Sequence, residues 1–278
     1  MMIRINEPSV TVIAPKKGFV TLDLREILRY RDLLYLLIQR DIKLRYRQTV
    51  IGIAWAVLQP VLTMVVFTII FGRWVKLPSG GYPYPLYVFA ALLPWTFFSN
   101  AISACGNSVV GSSNLITKVY FPRLIIPIAS IGAGVVDFVV TTIVMLLMML
   151  RYGLSWHWGL LAVPLLFLVV FFTAMGIGTF LSALTVSYRD FRYVTPFVLQ
   201  LWMYATPIVY SPQLFPARWR WVLNLNPMAG LIDGFRSAFL GKSFDTSAFL
   251  ISSTVAVVIF VAGIGYFKQV ERKFADII

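Results

Sequence analysis

Residues 159–184 read GLLAVPLLFLVVFFTAMGIGTFLSAL, a run without one ionisable side chain. An α-helix needs about 20 apolar residues to cross the roughly 30 Å hydrocarbon core of a bilayer. This stretch is long enough, and charge-free enough, to read as a transmembrane helix. Working outward from it, comparable apolar segments lie near 52–72, 85–106, 125–150, 195–210 and 248–268. The segment at 195–210 is the shortest and is bracketed by Pro196 and Pro207. The pattern predicts an all-α integral membrane protein with six transmembrane helices.

Composition agrees. The chain is 59% hydrophobic and 13% charged, where soluble domains run about 45–50% and about 25%. Too little polar side chain is available to cover a water-soluble globule, and no separate soluble catalytic domain fits beside the spans. Cys105 is the sole cysteine and falls within an apolar run, where it reads as a small packed hydrophobe.

The net charge is +13, and ten of the 24 Lys and Arg precede residue 48. That placement suits the anionic cytoplasmic face of a membrane better than nucleic acid. Residues 1–21 hold Pro8, Pro15, Lys16 and Lys17 without an apolar core, so they read as a cytoplasmic arm and not as a signal peptide. Over 22–47, Leu24, Ile27, Leu28, Leu34, Tyr35, Ile38 and Ile42 recur at helical spacing. Arg25, Arg29, Arg31, Arg40 and Asp41 sit between them. Such a segment is too charged to span a bilayer and too periodic for a linker; it predicts an amphipathic interface helix on the cytoplasmic leaflet. The transmembrane domain then occupies 48–268 and a cytoplasmic tail 269–278. With both ends inside, 17 of the 24 Lys and Arg fall on the cytoplasmic side.

Tyr210–Ser247 carries Pro212, Phe215, Pro216, Trp219, Trp221, Phe235 and Phe239, far too apolar for an aqueous loop. Backbone can break at membrane depth only where protein buries it or a wet cavity borders it. A re-entrant helical hairpin over 211–241, broken near Asn224-Leu-Asn-Pro227, satisfies that constraint.

Catalytic or energy-coupling chemistry finds little support. Gly241-Lys242-Ser243 resembles the tail of a phosphate-binding G-x-x-x-x-G-K-[ST] loop, but the first glycine position is Arg236. His157, the only histidine, lies between Trp156 and Trp158 and reads as an interfacial residue. Ser155 is too close to it in sequence to act as its nucleophile, and no metal cluster exists. Asp137 is the only carboxylate within a span, and its charge must face protein or water. It is either an acceptor for substrate hydroxyls in a channel or a structural acceptor for Ser or Thr on a neighbouring helix. Trp95, Phe98, Trp202 and Tyr204, with Trp55, either belong to interfacial aromatic belts or line a path that offers sliding contacts to sugar rings.

Several of these segments are also recognisable in order along the chain. Arg40-Asp-Ile-Lys-Leu-Arg-Tyr-Arg47, Gly52-Ile-Ala-Trp55 and Leu58-Gln-Pro60 resemble the junction of interface helix and first span in type-2 ABC exporter permeases. Leu93-Pro-Trp-Thr-Phe-Phe-Ser-Asn100 resembles that family's second span, and Asn114-Leu-Ile-Thr-Lys-Val-Tyr-Phe-Pro-Arg123 its first cytoplasmic loop. Asn224-Leu-Asn-Pro-Met228 with Asp233-Gly-Phe-Arg236 resembles its external re-entrant region. The nearest likeness is to the branch that exports lipid-linked O-antigen, capsule or teichoic-acid-like glycans across the bacterial inner membrane. The resemblance implies a homodimer paired with two copies of a separate ATPase subunit, which binds ATP and Mg while this chain binds no cofactor. It further implies that Asn114, Leu115, Thr117, Lys118, Tyr120, Phe121, Pro122 and Arg123 form a coupling helix docking on the ATPase. Arg189 and Asp190 are implied as a secondary contact. A drug or lipid exporter of the same architecture, and a six-span membrane enzyme, are the alternative expectations.

Overall fold

The computed structural model describes residues 24–47, 52, 54–214, 222–223, 225–271 and 274. The expected arm at 1–21, the aromatic stretch 215–221, Asn224 and most of the tail lie outside the described residues, which are helical or irregular throughout.

The interface segment forms two helices, α1 (Leu24–Arg29) and α2 (Arg31–Tyr46), separated at Tyr30 (φ −99°, ψ 22°). α3 (Ala54–Phe67) continues through a π-helical turn, Thr68–Trp74. α4 (Tyr84–Gly111) follows, then the short α5 (Ser113–Lys118) and α6 (Ile125–Arg151). A 3₁₀ turn at Trp158–Ala162 leads into α7 (Val163–Ser187), and α8 spans Phe191–Ala205. α9 (Pro227–Leu240) and α10 (Thr246–Val270) complete the bundle.

Five of these helical stretches are long and apolar enough to cross a membrane: Ala54–Trp74, Tyr84–Gly111, Ile125–Arg151, Trp158–Ser187 and Thr246–Val270. They cover five of the six segments expected from the sequence. The remaining one becomes α8, whose 15 residues extend only about 22 Å at 1.5 Å per residue. α8 begins just after Asp190 and ends before Pro207, so the chain breaks it where the flanking proline leads one to expect. Its inward side is Thr195 and Leu199, while Tyr193, Phe197 and Leu201 face outward.

α4 is the hub. Its most apolar window is 72% buried within the protein, against 17% for Ala54–Trp74, and α6 and α7 are its principal neighbours. Cys105 lies fully buried on α4 against Gly178 of α7, the packing role expected of it. With lipid as apolar as the side chains, helices in a bilayer associate through close van der Waals packing of small residues. α7 and α10 meet in this way: a Cβ on Gly263 would fall 1.9 Å from the Gly176 carbonyl oxygen. Gly230 of α9 also packs tightly on α10, where a Cβ would fall 2.4 Å from the Ala248 carbonyl oxygen, and its N–H donates to Ser252 Oγ at 3.2 Å.

The crossing of α7 and α10 is therefore expected to reject any side chain. Gly263→Leu should cost about 1–3 kcal/mol by overpacking and lower the thermal unfolding midpoint in detergent by several degrees. An unchanged midpoint would show that the two backbones do not approach this closely.

Candidate functional site

α2, α5, the α7–α8 junction and the end of α10 gather at one end of the bundle. They share a hydrophobic cluster separate from the main core, in which Leu37 of α2, Ile116 of α5, Phe121, Val186, Phe267 and Phe274 are buried. Ile116 and Phe121 point inward and thereby turn their neighbours out. Thr117, Lys118 and Val119 are exposed, as is Tyr120 at 85%. Asn114 is exposed too, whereas Leu115, Pro122 and Arg123 are partly buried. Arg123 donates to the Glu271 carbonyl and lies 5.9 Å from the Phe274 ring, so it joins the loop to the end of α10. Tyr188, Arg189 and Asp190 are exposed at the turn between α7 and α8.

Arg25, Arg29, Arg31 and Arg40 of the interface helices face solvent. Their ion pairs, Arg31–Asp32 at 3.8 Å and Arg40–Asp41 at 2.9 Å, join adjacent residues and contribute little to stability. Arg45 behaves differently. Its Nη1 pairs with Asp137 Oδ2, and the Tyr46 hydroxyl donates to Asp137 Oδ1. Burial, reinforced by the bond to Asp137, pushes the Tyr46 hydroxyl up to about 12. The one carboxylate within a span thus receives its partners from α2. A small cavity beside the pair is lined by Gln59, Thr96, Asn100, Ser130 and Thr141, with Arg45 and Asp137 themselves. Arg45 and Tyr46 sit inside a motif read from the sequence, but nothing in their spacing points to a residue 92 positions away.

Three of the aromatic candidates come together. Trp95 and Phe98 of α4 lie 5.5 Å apart between ring centroids, and Trp202 of α8 meets them edge-on at 6.5 and 5.3 Å. Trp55 and Tyr204 stand apart from this cluster, about half exposed. The Trp202 indole N–H donates to Asn226 Oδ1 at 3.1 Å, which also accepts from the Met228 N–H at 3.0 Å. Asn226 is therefore the N-cap of α9, with Pro227 at the first helical position where its missing N–H costs nothing. Its side-chain amide donates to Thr206 Oγ1 at 2.9 Å, which ties the α8 exit to α9.

α9 itself is almost wholly buried, Arg236 included. Arg236 counts in the sequence as a charge of an external loop, but its guanidinium stacks 3.7 Å from the Tyr87 ring centroid. It also donates to the Tyr87 carbonyl at 3.3 Å and the Ile208 carbonyl at 2.5 Å. His157 reaches the same helix, its Nε2 2.8 Å from the Ala238 carbonyl oxygen, while Trp156 and Trp158 remain exposed. Gly241 ends α9 at φ +72°, the left-handed conformation that favours glycine there. This backbone role accounts for the glycine of the apparent phosphate-loop tail.

A bundle of apolar spans with a charged helix at one end, an exposed basic and aromatic protrusion beside it, and a buried short helix at the other defines a polytopic membrane protein. The chain belongs to the ABC-2 type transporter family, whose model matches residues 32–240. It is 30% identical over 256 residues to an O-antigen export system permease protein of Myxococcus xanthus, covering 91% of this chain and 97% of that one. A protein of the same description from Klebsiella pneumoniae is 26% identical over 253 residues, covering 89% and 95%. A polysialic acid transport protein of Escherichia coli is 21% identical over 206 residues, covering 72% and 78%.

The Arg45–Asp137 pair is partly shielded, with side chains 33% and 18% exposed. Removing one partner strands the other charge, a loss of roughly 3–5 kcal/mol when burial is complete and smaller here. Asp137→Ala and Arg45→Ala are each expected to lower the thermal midpoint, and the double variant to lower it less than the sum. Strict additivity in that double-mutant cycle would remove the pair as a structural link.

Proposed function

We propose that this chain is the membrane-spanning permease of an ATP-driven exporter that moves a lipid-linked polysaccharide, of O-antigen, capsule or teichoic-acid type, across the bacterial inner membrane. The observation that carries the reading is its end-to-end similarity to O-antigen export permeases, which leaves 9% of this chain and 3% of the Myxococcus relative unmatched. In this reading two copies pair with two copies of a separate subunit that binds ATP and Mg. Both termini are cytoplasmic, and α8 with the segment after it completes a sixth crossing. α9 is the re-entrant helix of the external side.

The geometry supports this division of labour. The protrusion at Asn114–Arg123 has a buried inner face, Ile116 and Phe121, and an outer face, Thr117, Lys118, Val119 and Tyr120, open to a partner. Arg189 and Asp190 supply a second contact at the same end. ATPase closure would press on this face, and the shared cluster would carry the displacement to α2 and α10. The aromatic cluster of Trp95, Phe98 and Trp202 lies along the route proposed for the glycan, and Trp55, Tyr204 and Asp137 are further candidates for that route.

Affinity purification of the tagged chain in mild detergent should recover a roughly equimolar ATP-binding subunit, and deletion of the gene should deplete surface polysaccharide. Lys118→Glu reverses a fully outward charge and is expected to reduce export at least tenfold while membrane insertion is unchanged. Arg123→Glu should have the same effect on export. A lone protein without an ATPase partner, or undiminished export in Lys118→Glu, would sink this assignment.

A further inference from the structure

At the end of the bundle opposite the coupling loop, a cavity of about 810 Å³ opens between the loop before α4, the segment 211–214, one face of α9 and the α9–α10 turn. Small-molecule sites run about 300–1,000 Å³, so the size is that of a ligand site and far exceeds a water pocket. Tyr82, Asp233, Lys242, Ser243, Asp245 and Gln213 line it.

Two of these groups carry unspent bonding capacity. Asp233 is half-buried, and among the described residues nothing donates a hydrogen bond to its carboxylate. The Lys242 ammonium lies 5.5 Å from the Tyr82 ring centroid and 5.0 Å from that of Tyr87, with no acceptor among the described residues. Burial pushes the Lys242 ammonium down from its ordinary value, with the charge of Arg236 adding to the effect. The lysine is held in place by backbone: it follows the left-handed Gly241, and a Cβ on Gly80 would come within 3.2 Å of its Nζ. Behind it, the Tyr87 wall is fixed by the stacked Arg236 guanidinium.

The chemistry selects among ligands. A divalent cation is disfavoured because Lys242 shares the cavity and Asp245 Oδ1 is already engaged. That oxygen accepts from Ser247 Oγ at 2.6 Å and the Ala248 N–H at 3.0 Å. An anionic group would meet the Asp233 and Asp245 carboxylates, which the Lys242 ammonium and the Arg236 guanidinium behind the Tyr87 wall balance without leaving a net positive charge for it. A purely apolar ligand would leave Asp233 and Lys242 unpaired and desolvated, at a cost. A neutral polyhydroxylated ring satisfies the set: vicinal hydroxyls donate to the carboxylate, a hydroxyl oxygen accepts from the ammonium, and an apolar C–H face lies against the partly exposed Tyr82 ring.

We propose that this cavity is a saccharide-binding site at the exit mouth of the permease, taking a neutral sugar unit through Asp233, Lys242 and Tyr82. The proposal rests on the glycan-export reading and adds to it a place where the emerging polymer pauses.

Saturation-transfer difference NMR on the full chain with its ATPase partner in lipid nanodiscs tests it, with methyl α-D-mannopyranoside and methyl β-D-glucuronide as probes. The mannoside is expected to show enhancement on the wild type that falls at least threefold in Asp233→Asn, Lys242→Gln and Tyr82→Ala, with a weaker signal for the glucuronide throughout. Each variant is first checked for monodisperse elution, and Lys242→Gln and Tyr82→Ala, which alter no helix, carry the test if Asp233→Asn misfolds. Absent enhancement on the wild type, or enhancement unchanged in all folded variants, overturns the site. If either occurs while complementation of the deletion still restores surface polysaccharide, the cavity assignment fails alone. Loss of the export reading shows instead as a deletion that depletes no polysaccharide.

Discussion

A guanidinium taken wholly out of water is the constraint around which one end of this protein is built. Desolvating such a charge costs several kcal/mol unless stacking and hydrogen bonds replace its hydration. Arg236 obtains replacements from the Tyr87 ring and carbonyl on α4 and from the Ile208 carbonyl beyond α8, which leaves only its Nη1 without a partner among the described residues. Two separate pieces of chain must therefore converge on α9. Once they do, α9 is buried along its length, and its ends need caps from within the protein. Asn226 and Gly241 supply them. The close seat of Gly230 on α10 and the reach of His157 to Ala238 follow from the same placement.

The opposite end is assembled by different means. There an apolar cluster gathers α2, α5, α7 and α10, and one charged pair, Arg45 with Asp137, joins α2 to α6. α4 runs between the two ends as the most buried helix. The molecule therefore has an end organised around a buried cation and aromatic rings, and an end whose outer surface is charged and exposed.

The spans were legible because length and the absence of charge decide them, and residues 159–184 would have sufficed for the class of fold. α8 was legible as an anomaly through Pro207, which lies just past its end, whereas Pro196, read as the other bracket, falls inside the helix. The break at Tyr30 was not, because neither glycine nor proline marks it. Side-chain partners were the least accessible. Asp137 could be recognised as a charge in need of company, but its partners lie on α2, and sequence spacing carries no information about a contact between helices. Arg236 counted as a loop charge because apolar residues surround it only in three dimensions. Among the aromatics, a helix apolar on all sides gives no sign of which side meets protein, so Trp95 and Trp202 could not be told apart from Trp55 and Tyr204.

Spatial adjacency by itself does not establish that a push at the coupling loop reaches the spans. In the proposed exporter, the case for α2 rests on the two kinds of attachment it makes. Its contact through Leu37 is apolar and non-directional, so α2 can slide there at small cost. Its contact through Arg45 and Tyr46 is directional and charged, and sliding by one helical turn would strand Asp137. An element held by one tolerant and one intolerant contact has few positions of rest. In the proposed exporter a displacement large enough to leave one position would take α6 with it, which keeps the carboxylate paired. Arg123 adds a similar restraint on the other flank, through the Glu271 carbonyl. In that reading the end that carries the coupling loop would move α2, α6 and α10 together, while the buried cation at the far end keeps α9 seated on α4.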